Sequence, residues 1–301
     1  MKITVTGSLG YISTPLVEKL VKKGHSVTLI SSNADKQTDI EALGAMAAIG
    51  VMEDVDFLTD AFTGADTLYC MLAPYGNFAD PANTADAVIK RADAVVNNYG
   101  QAIRQSGVKR VVYLSSMGAA MDSGSGLIII HRNAEKTLSK LPADVRISFI
   151  RPAGFYKNMF ACIGSIKRQG VIAASYGADD RVAWVSNLDI ADAIVDELET
   201  RQVGRKVRYV VSEVLTCTEA AHILGDAIGK PDLKWVTIPD EQELEHYQAF
   251  GINESLTSEF VAMNTSIHTG RFYEDYNRHR PAPGKVKLNE FANEFGAAYG
   301  G

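Results

Sequence analysis

The chain has 301 residues, 46% hydrophobic and 22% charged, with a formal net charge of −6. A chain of this length and balance buries enough apolar surface to hold a core without disulfides or metal. It carries no basic stripe suited to a nucleic-acid groove. No run approaches the ~20 apolar residues of a membrane helix. The opening apolar stretch is too short for a secretion signal and meets a glycine turn at once. Three scattered cysteines, Cys70, Cys162 and Cys217, favour a reducing, cytoplasmic setting and argue against structural zinc.

The first half alternates β-branched runs with amphipathic stretches. Strands are expected at 3–6, 26–31, 45–49, 67–72, 110–115 and 146–150. Helices are expected at 15–23, 35–43, 55–62, 85–105 and 129–141. Continuous apolar strands separated by helices of this length imply a parallel sheet covered on both faces, the doubly wound α/β arrangement. Beyond Arg151-Pro152 the pattern loosens. A strand at 182–185, a helix at 190–199 and a further sheet strand at 207–211 follow. From about Thr216 the chain reads as mostly helical. The expected organisation is a Rossmann core from 1–153 plus about 182–213. A smaller, mostly helical C-terminal lobe for substrate or partner then takes about 154–181 and 214–301.

The strongest local signal is Thr6-Gly7-Ser8-Leu9-Gly10-Tyr11-Ile12-Ser13, which follows a strand and opens a helix. Gly7 permits the tight turn and Gly10 lets the backbone approach a pyrophosphate. The helix start, from Ser8 and Leu9 through Tyr11 and Ile12, offers free N–H groups and the positive dipole end to that anion. Ser13 replaces the third glycine of the dinucleotide fingerprint and is small enough for helix–strand packing. At the end of the second strand an NAD site usually places an acid for the ribose 2′-OH. Here the strand ends Ser31-Ser32-Asn33, with Lys36 beyond. The first three can donate to a 2′-phosphate and Lys36 can neutralise it, so NADP(H) is favoured over NAD(H). An ordinary polar loop with Asn33 capping the next helix is the alternative. Asp54 either contacts the adenine ring or caps the helix after it.

The chain resembles the NmrA-like branch of the atypical short-chain dehydrogenases/reductases. The resemblance rests on the glycine turn, on Val111–Ser116, on Ile150-Arg151-Pro152-Ala153-Gly154-Phe155-Tyr156-Lys157-Asn158, and on Val182–Val185 with Asp189-Ile190-Ala191. It covers most of the chain. It implies either an NADPH-dependent reductase of quinones or phenylpropanoids, or a redox-sensing regulator that binds NAD(P) without turnover. It further implies that Leu72, Ala73 and Pro74 run along the nicotinamide ribose. Pro152 and Ala153 would pass the carboxamide. Tyr75, Phe155, Tyr156 and Asn158 would form the acceptor pocket.

The wider superfamily uses Tyr-x-x-x-Lys on the helix after the fifth strand. In this chain His131 stands at the tyrosine position and Glu135 at the lysine position, so the dyad is absent. His131 could serve as an acid, since its reference pKa of about 6.5 lies near working pH, or could simply line the helix start. Ser115 and Ser116 either bond the cofactor or acceptor, or satisfy the strand end. Asp189 reads as the cap of the helix at 190–199. His222, His246, His268 and His279 have no ligand spacing, so no metal is expected. No Gly-x-Ser-x-Gly elbow and no Walker lysine turn occur. The leading expectation is an NADPH-dependent oxidoreductase that reduces a small planar acceptor such as a quinone. The alternative is a non-catalytic NAD(P)-binding sensor with a protein partner.

Overall fold

The computed structural model describes residues 1–72, 76–200 and 204–301. Its elements, in chain order, begin with β1 (Lys2–Val5), α1 (Ser13–Lys22), β2 (Ser26–Ser31), α2 (Gln37–Ala42), β3 (Met46–Ile49) and α3 (Val55–Phe62). They continue with β4 (Thr67–Cys70), α4 (Ala85–Ser106), β5 (Arg110–Leu114), α5 (Ile129–Leu138), β6 (Arg146–Pro152) and β7 (Gly154–Phe155). A 3-10 segment, Tyr156–Cys162, leads into α6 (Ile163–Gln169), β8 (Val171–Ala174), β9 (Arg181–Val185), α7 (Asn187–Glu199) and β10 (Arg205–Val210). The chain ends with β11 (Glu213–Thr216), α8 (Cys217–Ala227), β12 (Lys234–Thr237), α9 (Asp240–Ala249), α10 (Glu254–His268), α11 (Glu274–Arg278) and α12 (Leu288–Gly300).

Seven strands form one parallel sheet in the order β10-β6-β5-β4-β1-β2-β3. Side chains alternate across it as the pleat requires. Val111 and Tyr113 of β5, with Ile147 and Phe149 of β6, pack among residues of α3, α4 and α5. Val112, Leu114 and Ile150 face the other way, into the core built with α1 and α7. Both faces are thus covered, and the inner strands β5 and β6 contribute apolar residues to both. The strand order reverses between β1 and β4, the switch point at which open α/β sheets bind ligands.

The C-terminal portion is less helical than expected. β8 and β12 pair in parallel, while β11, β9 and β7 form a three-stranded sheet. Each is four residues or so and carries no long apolar run, and each is stabilised by a partner distant in sequence. Among the described residues no helix is long and apolar enough to cross a membrane.

Asp189 does not cap α7. Ser186 does, accepting from the Leu188 amide. Asp189 sits in the first turn, 7% exposed. Its carboxylate accepts from the Ser212 hydroxyl and from the amides of Lys285 and Val286, both at 3.1 Å. It therefore pins the strap after Pro281-Ala282-Pro283 onto the core. A Cβ built on Gly284 would collide with this carboxylate, which explains a glycine there. Asp189→Ala should leave two partly buried amides and the Ser212 hydroxyl without their acceptor and cost about 1–3 kcal/mol. Urea unfolding measures the loss, and trypsin should cut first near Arg280. An unchanged midpoint and digestion pattern would refute the strap's dependence on this carboxylate.

Candidate functional site

The turn after β1 is built for close approach. Gly7 has φ +106° and Ser8 φ +58°, the second an uncommon conformation for a residue with a Cβ. Ser8 is held there by its amide, which donates to Ile30 O at 2.9 Å, and by a hydroxyl contact to Ser31 at 2.9 Å. A Cβ on Gly7 would strike the Met71 side chain, whereas one on Gly10 would meet nothing within 4 Å. Gly7 is thus a packing requirement, and Gly10 leaves open space at the helix start. No side chain caps α1. Thr14 donates its amide to Gly10 O at 3.0 Å and Pro15 has none, so the N–H groups open to an anion are those leading into the helix, at Gly10, Tyr11 and Ile12. At the switch point the Thr6 hydroxyl accepts from the Met71 amide at 3.0 Å, and the Tyr99 hydroxyl donates to Met71 O at 2.7 Å. These bonds hold the ends of β1 and β4 together. Leu72 is buried just beyond, and Ala73, Pro74 and Tyr75 lie outside the described residues.

At the tip of β2 the predicted set divides. Ser32 and Asn33 are exposed. Lys36 lies one turn on and pairs with Asp39 at 3.2 Å. Ser31 is 1% exposed, its hydroxyl shared between Ser8 and the backbone of Asn33. It braces the glycine turn and is not placed to donate to a 2′-phosphate. Asn33 accepts from the Asp35 amide and Asp54 from the Asp56 and Phe57 amides, so both act as helix caps.

Around the expected chemistry the outcome is also mixed. The amide of Ser115 bonds Ile150 O at 2.7 Å, and Met117 bonds Pro152 O at 2.9 Å. The ends of β5 and β6 therefore rise together, and Ala153 continues from β6, bonded to Val210 O at 3.0 Å. The Ser116 hydroxyl turns back to Met117 O at 2.9 Å. The Ser115 hydroxyl is not free for a ligand, because it donates to Glu135. Glu135 accepts the Nε–Nη2 edge of the Arg151 guanidinium in a bidentate pair, at 2.9 and 2.6 Å. Arg151 is 7% exposed and also donates to the Tyr209 hydroxyl at 2.9 Å and to Asp275 at 3.1 Å. Burial works against the guanidinium charge, but the facing carboxylate outweighs it and holds the Arg151 pKa above its ordinary value. The sequence signal for this pair was the acid at a lysine position, four residues after His131.

His131 lies edge-on to the Tyr113 ring, centroids 6.3 Å apart. It is partly covered, and its Nδ1 is shut from solvent. Desolvation pushes the imidazole down to about 4. Its neutral form is therefore favoured at pH 7, so His131 does not stand as a charged acid at the tyrosine position. Three residues of the expected acceptor pocket are described. Phe155 pairs with Val185 in β7, and Asn158 is exposed. Tyr156 is 1% exposed, stacked on Phe291 at 5.7 Å, its hydroxyl donating to Glu213 at 2.7 Å. Tyr11 is 67% exposed, with the Lys157 ammonium 4.7 Å above its ring.

The open backbone at Gly10, the uncapped helix and the hydroxyl-rich β2 tip suit a bound dinucleotide. Residues 7–201 match the model of a family described as NAD(P)H-binding. The chain belongs to that family. It is 25% identical to an NAD(P)H azoreductase of Xenophilus azovorans, over 99% of each chain. Its fold matches an NADPH-dependent quinone oxidoreductase of Escherichia coli, solved in complex with NADPH, with a TM-score of 0.78. That match is 20% identical and covers 97% of this chain and 99% of that one. The triphenylmethane reductase of a Citrobacter species matches with a TM-score of 0.77 and 21% identity, over 99% and 100%.

Two outcomes are expected. Arg151→Leu strands the Glu135 carboxylate in the interior and should cost about 3–5 kcal/mol, most of it recovered in Arg151→Leu/Glu135→Leu. Chemical denaturation of both variants decides whether the pair is coupled in this way, and additive losses would deny it. The second concerns pH. The folded chain binds a proton at His131 less readily than the unfolded chain. Stability should therefore decline as pH falls from about 6.5 towards about 4. In His131→Gln that part of the pH slope should vanish in thermal melts, and an identical slope would contradict burial as its origin.

Proposed function

We propose that the protein is an NADPH-dependent reductase that delivers hydride to a flat, conjugated acceptor such as a quinone or an azo compound. The observation that carries this reading is the fate of the two dyad positions. His131 is held neutral, and Glu135 is locked onto Arg151 with the Ser115 hydroxyl bonded to it. None of the three stands as a charged, unpartnered acid for a developing alkoxide. Reduction of a simple ketone needs such a donor. A quinone does not, because its negative charge on reduction is delocalised and water protonates the product.

A reduced nicotinamide bound at the switch point supplies the hydride. This chain's residues would bind and orient. The N–H groups of Gly10, Tyr11 and Ile12 would meet the pyrophosphate. Ser32 and Asn33 would donate to the 2′-phosphate and Lys36 would neutralise it. That preference for NADPH is supported by the lack of an acid at the β2 tip. The ends of β5 and β6, with Ser116, Pro152 and Ala153, would frame the nicotinamide face. Most of the rate would come from holding the two flat rings together. The relatives lend support, since they are named for azo, quinone and triphenylmethane reduction.

One observation favours a second reading, a non-catalytic NAD(P) sensor acting on a protein partner. The same locked pairs that remove a donor would also suit a site that only binds.

NADPH oxidation with 1,4-naphthoquinone separates the two. Saturable turnover is expected, with NADPH preferred over NADH. Lys36→Glu should lower kcat/KM for NADPH about tenfold, through loss of a charge-assisted contact, and leave NADH unaffected. His131→Phe should retain turnover. Cofactor binding without turnover on any quinone or azo acceptor would end the reductase reading and leave the sensor.

A further inference from the structure

Asn98 and Tyr99 are neighbours on α4, and both send polar groups to the loops around the glycine turn. Tyr99 is fully buried on the apolar face of that helix, among Val95, Val96, Ala102 and Ile103. Phenylalanine would fill the same space. The hydroxyl is present for its bonds, because burying it without them is costly. Burial pushes it well above its ordinary pKa, so it stays protonated as a donor. It donates to Met71 O at 2.7 Å, lies 3.3 Å from the Thr6 hydroxyl and touches the Met52 sulfur. Thr6, Met52 and Met71 follow the ends of β1, β3 and β4.

Asn98 is half-buried, and asparagine is a poor helix former. Its Nδ2 donates to Met52 O at 3.2 Å and to Glu53 O at 3.0 Å, so its amide is spent on the one loop between β3 and α3. The other end of that loop is tied to β2, since the Gly50 amide donates to Ser31 O at 3.0 Å. The Ser31 hydroxyl in turn contacts Ser8 at 2.9 Å. Met71 is fixed through its backbone by Thr6 and Tyr99, and its side chain lies so close under Gly7 that a Cβ there would strike it. The bonds close a ring. It runs from the glycine turn through Ser31 to the β3–α3 loop, through α4 to the end of β4, and back under Gly7.

In a dinucleotide fold the end of β2 meets the adenosine ribose and the glycine turn meets the pyrophosphate. The β3–α3 loop is bonded to the end of β2, so it borders the adenosine half. Met71 and Gly7 belong to the turn that both halves of the cofactor share. We infer that Asn98 and Tyr99 are positioning residues for the cofactor, Asn98 for its adenosine half and Tyr99 for the pyrophosphate turn. Both roles rest on the dinucleotide lying at the glycine turn, and neither depends on turnover.

The test is binding of NADPH, of 2′,5′-ADP and of reduced nicotinamide mononucleotide to the full chain, by calorimetry and nicotinamide fluorescence, with thermal melts alongside. Asn98→Leu should weaken 2′,5′-ADP about tenfold, the worth of a lost hydrogen bond or two, and leave the mononucleotide within about twofold. Tyr99→Phe keeps the packing and should weaken all three about tenfold. General loosening of the fold would not separate the two halves. Gly10→Glu, where a side chain has room, sets a carboxylate against the pyrophosphate and should abolish NADPH binding. Binding that survives Gly10→Glu, or a wild type that binds no NADPH, would refute the seat itself and both roles with it. With the seat upheld, unchanged affinities in Asn98→Leu and Tyr99→Phe, or equal loss of both fragments in Asn98→Leu, would overturn the positioning roles alone.

Discussion

A guanidinium buried at the end of β6 must find compensation inside the protein, and the way Arg151 finds it organises the whole C-terminal edge of the sheet. Glu135 of α5 takes two of its N–H groups, Tyr209 of β10 and Asp275 of α11 take others. Four segments that are far apart in sequence are thereby fixed at one point. Ser115, at the end of β5, joins through Glu135. The pair's worth lies less in net stability, where a hydrophobic replacement could do as well, than in geometry. It sets the height at which β5 and β6 end, and so the floor on which a nicotinamide ring would rest. It also explains why Glu135, at the position of the superfamily's lysine, is already engaged here.

The dinucleotide end of the site is governed by a different constraint, backbone proximity. Met71 leaves no room for a side chain at Gly7, and the space above Gly10 is empty. Ser8 accepts a left-handed backbone because Ile30 O and the Ser31 hydroxyl hold it. The two ends of the site are therefore independent in their physics. One is a matter of close backbone packing and unpaired N–H groups, the other of a buried ion pair. A change at either dyad position could alter the reaction without disturbing cofactor binding.

That independence explains what could be read from sequence. The parallel sheet was legible because buried strands are apolar on both faces and helices between them repeat at regular length. The glycine turn was legible because its needs are local. Ser31, Ser115 and Asp189 were assigned to ligand or cap roles that their surroundings pre-empt. Their partners lie at Ser8, at Glu135 and at Lys285–Val286, separations of 23, 20 and 96–97 residues. A polar residue at an element's end has several local uses, and only the fold shows which distant group claims it. The short strands β8, β11 and β12 escaped for the same reason, since their pairing is supplied from elsewhere.

The locked pairs also bear on which acceptors such a site could serve. A protein without a positioned acid must leave protonation to water, so water must reach the acceptor oxygen or nitrogen. A deeply enclosed active site would then be a disadvantage, and a shallow one an advantage. The structure is consistent with shallowness on the glycine-turn side, where Tyr11 and Leu188 remain open. Shallow sites hold their ligands by stacking and area more than by directed hydrogen bonds, which favours large flat molecules and weakens discrimination among them. On the reductase reading proposed above, this division of labour would give broad tolerance for conjugated acceptors, with selectivity concentrated in the cofactor.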